Sequence, residues 1–333
     1  MAQGLLRRPR QHRCPCDISW PVSIIAPAGA TVTRSRFSNC SNALRLFQRG
    51  DVVKRFLKSM LVASVVIGLA PHIAVAGQQP ANAAPRTPEE NEELAKKLSN
   101  PISDLVSVPF QFNWYQDVGP LDLSTFILNV QPVIPLELNQ DWNLILRIIV
   151  PFIGQPPLFI GDLSAFGVGD VTSSFFFSPR NSSGFTWGVG PVFETPSSYQ
   201  PTIGSGHFSI GPTAVALQQT GKWTIGVLGN QVWSVAGDSR RADVNQMFLQ
   251  PFLAYQKTHT VTLTLTSEMT ANWEAHGEER WTVPILGDIS KLDKFGPFPA
   301  SYELGAAWFP AHPDVGPSWS IRGAVTILLP ERK

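Results

Sequence analysis

No stretch of this chain offers the roughly 18 consecutive apolar residues that a membrane-spanning helix requires; the longest near-continuous run, Met60 to Ala70, is too short. A helical membrane protein is thereby excluded. Charge is also scarce: 15% of the 333 residues are Asp, Glu, Lys or Arg, against about a quarter in ordinary soluble domains. Cysteine is confined to Cys14, Cys16 and Cys40, so beyond residue 76 neither a disulfide nor a thiolate metal site can form. The space is filled by Gly (26), Pro (29), Phe (20) and Trp (10), and 43% of residues are hydrophobic, which is too apolar for disorder. Two classes remain, an exported all-β domain or a transmembrane β-barrel, because only helices and closed barrels satisfy every backbone polar group in lipid.

The formal charge of +1 hides a division along the chain. Residues 1–76 carry 11 Lys/Arg and 2 Asp/Glu, a balance of +9, and the remaining 257 residues carry −8. Within the basic part, Lys54, Arg55 and Lys58 precede Met60–Ala70, and Ala74-Val75-Ala76 places small residues at the −3 and −1 positions before Gly77. That order of basic flank, apolar run and small-residue exit is a secretory signal peptide over 51–76, cleaved after Ala76. Residues 1–50 then read as an over-extended start or a long leader, 77–104 as a periplasmic linker with a short helix, and 105–330 as the folded domain. An exported, acidic, cysteine-free chain suits a Gram-negative cell envelope, and nothing in it has the basic clustering of a nucleic-acid binder.

Thr87-Pro88-Glu89-Glu90 supplies an N-cap, a proline at the first helical position and a capping-box acid, which predicts a helix running to about Ser99, where Asn100-Pro101 stops it. From Leu105 the period becomes two. Trp142, Leu144, Leu146, Ile148, Val150 and Phe152 alternate with a face marked by Asn143 and Arg147. Trp319, Ile321, Gly323, Val325 and Ile327 do the same against Ser320, Arg322, Ala324 and Thr326, and Val261, Leu263 and Leu265 against Thr260, Thr262, Thr264 and Thr266. About twelve such segments follow one another: 105–116, 124–134, 142–153, 167–178, 185–194, 207–218, 223–234, 245–256, 260–270, 281–291, 300–309 and 318–330. Most match the 9 to 11 residues of a tilted membrane strand better than the 5 or 6 of a globular one. Odd-numbered connectors are longer on average than even-numbered ones, the loop asymmetry of an outer-membrane barrel. Trp142, Trp223, Trp281 and Trp319 start strands and Trp114 and Trp233 end them, as interfacial girdles require, while Trp187 and Trp308 are less clearly terminal. The fold expected is an all-β, closed antiparallel transmembrane barrel of about twelve strands with a short amino-terminal helix.

Chemistry-bearing motifs are few. His207, His259, His276 and His312 have no metal-ligand spacing, and no cofactor is expected. Gly167-Val168-Gly169-Asp170 precedes no helix, so it is a bend into the fourth strand and not a phosphate cradle. His207-Phe208-Ser209 puts an imidazole and a hydroxyl on one face of a strand, a spacing similar to that of outer-membrane lipid hydrolases, but Ser209 is followed by Ile210-Gly211 and not by their asparagine. Charge on a lipid-facing strand costs about 2 to 4 kcal/mol at midplane, so Arg147 and Arg322 should face the lumen. With them, Asn129, Gln131, Asn143, Asp170, Thr172, Asn230, Gln246 and Gln250 are the candidate lumen-facing residues.

Longer strings are distinctive together: 100–109 (NPISDLVSVP), 129–135 (NVQPVIP), 141–145 (DWNLI), Gly169-Asp170, 188–191 (GVGP), 233–237 (WSVAG), 271–275 (ANWEA) and 281–284 (WTVP). Over about Leu94 to Pro330 the chain resembles bacterial envelope proteins taken to be transporters, often mislabelled neuromedin U, and related to the phenol-degradation meta-pathway barrel family. That resemblance implies an outer-membrane barrel, monomeric and surrounded by lipid, which admits small apolar or aromatic solutes and depends on the barrel-assembly machinery. It supplies no catalytic residues, and this chain ends Leu328-Leu329-Pro330-Glu331-Arg332-Lys333 where barrels commonly end on an aromatic. A non-conducting structural or adhesion barrel is the alternative expectation, and a lipid hydrolase the third.

Overall fold

The computed structural model describes residues 86–180, 184–198 and 200–329. The expected signal peptide, leader and cysteines, and the last four residues, lie outside the described residues. Helix α1 (Pro88–Leu98) begins with the reciprocal cap read from the sequence: the Glu90 N–H donates to Thr87 Oγ1 at 3.2 Å and the Thr87 N–H to Glu90 Oε2 at 2.9 Å. It ends one residue before the expected limit, with Ser99 as the C-cap.

Fifteen strands follow: β1 (Ser107–Val118), β2 (Leu123–Val130), β3 (Val133–Glu137), β4 (Trp142–Gln155), β5 (Ala165–Val168), β6 (Val171–Pro179), β7 (Phe185–Thr195) and β8 (His207–Thr220). The second half of the wall is β9 (Trp223–Gly237), β10 (Asn245–Gln256), β11 (Val261–Thr266), β12 (Met269–Asn272), β13 (Trp281–Phe295), β14 (Phe298–Ala311) and β15 (Trp319–Leu328). All pairings are antiparallel, and the sheet closes where β9 meets β10 and where β15 meets β1, from Ser107 opposite Leu328 to Gln116 opposite Trp319. Three breaks divide single staves into β2/β3, β5/β6 and β11/β12, so the barrel has twelve staves.

Each break has a local cause. Pro132 has no N–H for the ladder and separates β2 from β3. Gly169 and Asp170 separate β5 from β6, and a Cβ at Gly169 would crowd Ile153 Cδ1 at 2.7 Å, Pro151 Cγ at 3.1 Å and the Ile203 carbonyl at 3.2 Å. Ser267-Glu268 separates β11 from β12, and the Ser267 hydroxyl bonds the Pro284 carbonyl.

The largest departure from the expected connector lengths is at the tenth. The tenth and eleventh staves extend to Phe295 and start at Phe298, so the eight residues expected between them shrink to a hairpin turn at Gly296-Pro297, with Gly296 at φ +59°. Residues 292–295, expected in the connector, continue the pairing of β13 with β14. The first connector is likewise short, 119–122. Loops at the end away from the termini now hold four to eleven residues, and turns at the terminal end two to five.

The polarity of this barrel is inverted relative to a soluble domain. Outward positions on β4, β9, β11, β13 and β15 expose Phe152, Ile225, Val227, Leu265, Ile289 and Ile321. Tryptophans mark both rims. Trp114, Trp233, Trp273, Trp281, Trp308 and Trp319 lie toward the distal end, with Trp308 directly opposite Trp319; Trp142, Trp187 and Trp223 lie toward the terminal end. Trp142 packs edge-on against Trp187 with centroids 5.9 Å apart, and Trp223 lies 4.6 Å from Tyr255. From Trp223 to Trp233, ten residues at about 3.3 Å each and tilted by about 40° rise about 25 Å, the height of an outer-membrane apolar band. No helix among the described residues is long and apolar enough to cross a membrane.

Candidate solute path through the barrel

The strand period that exposes an aliphatic at one position points the next inward. On β1 the inward set is Gln111, Asn113 and Tyr115, and register carries the same face to Asn129 and Ile127 on β2 and to Arg322 and Ser320 on β15. Arg147, Gln250 and Glu268 join it from β4, β10 and the β11/β12 break. Seven inward side chains, from Arg147 through Gln131, Gln111, Asn113, Arg322 and Glu268 to Gln250, form one hydrogen-bonded belt. Arg147 Nη2 donates to Gln131 Oε1 at 2.8 Å, and Gln131 Nε2 donates to Gln111 Oε1 at 3.1 Å. Gln111 Nε2 reaches Asn113 Oδ1 at 3.5 Å, which also accepts from Arg322 Nε at 2.8 Å. Arg322 then grips Glu268 with both terminal nitrogens, at 2.8 and 2.7 Å, and Glu268 Oε1 takes Gln250 Nε2 at 3.3 Å. Because β13 and β14 lie between β15 and the β11/β12 break, the Arg322–Glu268 pair is a chord across the lumen and not a contact along the wall.

That chord, with Phe248, forms the common boundary of two cavities. The distal chamber has a volume of about 220 Å³ and is lined mainly by apolar side chains, among them Tyr115, Ile127, Leu286, Phe309 and Val315. The proximal chamber, about 340 Å³, has polar walls of Gln111, Asn129, Gln131, Arg147, Asp288 and Glu303, and meets Ala95, Leu98 and Pro101 at its terminal end. Gln219 Nε2 donates to the Lys96 carbonyl and Gln256 Nε2 to the Glu92 carbonyl, each at 3.0 Å, which seats α1 in the terminal mouth. Beyond it, Ile102 is buried in an apolar cluster with Val133, Ile145, Phe176, Val215 and Leu217, filling one side of the lumen. A vestibule of about 710 Å³ flanks this plug and is lined by Asn100, Asp104, Asn143, Arg180 and Gln219.

Of the candidates read from sequence, Asn129, Gln131, Arg147, Gln250 and Arg322 line the proximal chamber, and Arg322 the distal one as well. Asn143 lines the vestibule. Thr172, Asn230 and Gln246 take inward register positions opposite Glu194, Thr213 and Val232, and line neither chamber. Asp170 sits in the β5/β6 break and accepts the Ser205 N–H. Sequence reasoning missed Glu268, Asp288 and Glu303. The cost of charge in a lipid-facing strand places them inward by the same rule as the arginines, and Glu268 continues the parity of Thr262, Thr264 and Thr266.

His207 and Ser209 are both inward and buried. The Ser209 hydroxyl has no hydrogen-bond partner, and His207 Nδ1 faces the Ser205 carbonyl at 3.1 Å, so the imidazole does not activate the hydroxyl in this arrangement. No group of three metal-ligating side chains is present among the described residues.

No family model and no curated protein matches the chain. Solved structures similar to it include an outer membrane channel from Pseudomonas putida F1, 15% identical over 68% of this chain and 94% of that one, with a TM-score of 0.49. The NanC porin is 8% identical over 68% of this chain and all of that one, with a TM-score of 0.45. Outer membrane phospholipase A from Escherichia coli is 11% identical over 72% and 98%, with a TM-score of 0.40.

Proposed function

We propose that this chain is a monomeric outer-membrane barrel for the passive passage of small, apolar or aromatic solutes, exported through its amino-terminal signal peptide and inserted by the barrel-assembly machinery. The observation that carries the reading is the pair of cavities inside a barrel with an apolar exterior, which share Phe248, Arg322 and Glu268 in their linings. The belt between the tryptophan rims, matched to the hydrocarbon thickness, supports a membrane position. The apolar lining of the distal chamber supports solutes with a ring or aliphatic body, which is also what the sequence resemblance implies. Its volume fits one small ring and not an oligosaccharide.

Proteoliposomes containing the purified barrel test this by solute efflux and bilayer conductance. Release of a small aromatic solute above protein-free vesicles is expected, with Glu268→Ala raising it by opening the boundary. Release indistinguishable from empty vesicles, in the native chain and in Glu268→Ala alike, overturns it. A non-conducting structural barrel is the second reading, and the observation in its favour is the Ile102 cluster that fills one side of the lumen.

A further inference from the structure

Five charged side chains line the proximal chamber: Arg147, Arg322, Glu268, Asp288 and Glu303. Arg322 and Glu268 satisfy each other. The other three form no ion pair within 4.0 Å among the described residues. Arg147 spends one donor on Gln131 and lines the cavity with the rest of its guanidinium fork in no other hydrogen bond among the described residues. Asp288 takes a hydrogen bond from Thr264, and Glu303 takes none from a described residue. Asp288 and Glu303 are diagonal neighbours, since Asp288 lies opposite Gly305 and Ser290 opposite Glu303. Around the twelve staves, β4 is separated from β14 by four steps and from β13 by five. Arg147 and the two acids, none of them in an ion pair among the described residues, therefore stand on walls four to five staves apart.

From this we infer that the proximal chamber is a recognition site for small zwitterions, solutes that carry a carboxylate and a cationic nitrogen on one apolar or aromatic body. The inference rests on the barrel passing solutes and names their polar half. An unpaired charge inside a barrel wall costs free energy that a partner would return. A simple anion satisfies Arg147 but meets two carboxylates on the opposite wall, and a simple cation is repelled by Arg147. A zwitterion supplies both partners at once, its carboxylate taking the guanidinium fork and its nitrogen the acids. Phe248, shared by both chambers, then lies where the ring of such a solute leaves the polar chamber for the apolar one.

Four solutes with one ring separate the charges: phenylalanine, phenylacetate, phenethylamine and 2-phenylethanol. Their binding to the full-chain barrel in detergent is measured by calorimetry, and their flux in proteoliposomes. Phenylalanine is expected to bind about tenfold more tightly than each of the other three, the scale of one charge-assisted hydrogen bond. Arg147→Gln is expected to abolish the preference over phenethylamine, and Asp288→Asn with Glu303→Gln the preference over phenylacetate. Equal binding of all four by the native barrel overturns the inference without recourse to any variant. Phenylalanine binding without flux supports the site and removes the transport reading, whereas 2-phenylethanol flux without zwitterion preference removes the site and leaves transport standing.

Discussion

Arg322 has three guanidinium nitrogens occupied, one by Asn113 at 2.8 Å and two by the oxygens of Glu268 at 2.8 and 2.7 Å, whereas Arg147 gives a single bond to Gln131. Both lie on inward faces of the same barrel. Arg322 ties β15 to its ladder neighbour β1 and, through Glu268, to the break between β11 and β12, which no ladder joins to either. It is a strut. Arg147 ties β4 to the β2/β3 break, already its neighbour in the sheet, and lines the proximal chamber. The difference teaches that charge in a lumen has two uses, closing a belt or meeting a solute, and that the count of satisfied donors separates them.

The comparison breaks first at Glu268. Glu268→Ala strands Arg322 as a buried, uncompensated charge, which is expected to cost about 3 to 5 kcal/mol of stability, read from the urea midpoint of the barrel in lipid vesicles. Exchanging both partners, Glu268→Leu with Arg322→Met, is expected to recover most of that loss. A single-variant cost under about 1 kcal/mol would mean the chord is not a strut. Arg147→Gln, by contrast, forfeits one hydrogen bond and no ion pair, so a change of about 1 kcal/mol or less is expected in the same assay. A loss as large as that of Glu268→Ala would merge the two arginines into one structural class.

Outer-face substitutions sharpen the contrast at a smaller scale. Trp308 and Trp319 are directly opposed at the distal rim, and both are exposed on the outer face. Trp308→Ala is expected to cost about 1 kcal/mol in vesicles, from lost cross-strand and interfacial contact, and to leave solute preference unchanged. An altered preference would place the rim on the solute path.

Inward and outward faces were legible in the sequence because the strand period is two, so Trp142 and Arg147 separate without coordinates. The twelve staves were legible for the same reason, since the breaks at Pro132 and Ser267-Glu268 interrupt a ladder without altering which face the next residue takes, and the one at Gly169-Asp170 falls near the start of its expected segment. What could not be read is which inward residues meet. Arg322 and Glu268 are 54 positions apart and lie on staves that are not neighbours, so no period or pairing rule joins them; only closure of the barrel does. The hairpin at Gly296-Pro297 was missed because the charges of Asp293 and Lys294 resemble a loop. They lie where β13 extends past the apolar belt, at the end where charge carries no penalty.

The smallest expected effect concerns α1, which few polar contacts hold in the terminal mouth. Glu92 bonds Lys96 at 3.4 Å and His259 Nδ1 at 3.2 Å, and its backbone carbonyl accepts from Gln256. The Lys96 hydrogen bond foremost, opposed by partial desolvation and aided by His259, holds the Glu92 carboxyl below its ordinary value of 4.5. A carboxyl lowered in the folded state contributes stability that is complete above the ordinary value and lost as pH falls through the lower one. Because the group is solvent-exposed, the effect is small and screened by salt. Hydrogen exchange of residues 88–98 from about pH 6 to about pH 3, corrected for intrinsic rates, is expected to show protection of α1 falling only below the ordinary glutamate range. In Glu92→Gln the same protection is expected to be lower from the start and flat with pH across that window. If the native chain and Glu92→Gln follow one curve, the helix is seated by Ala95, Leu98 and the glutamine bonds alone.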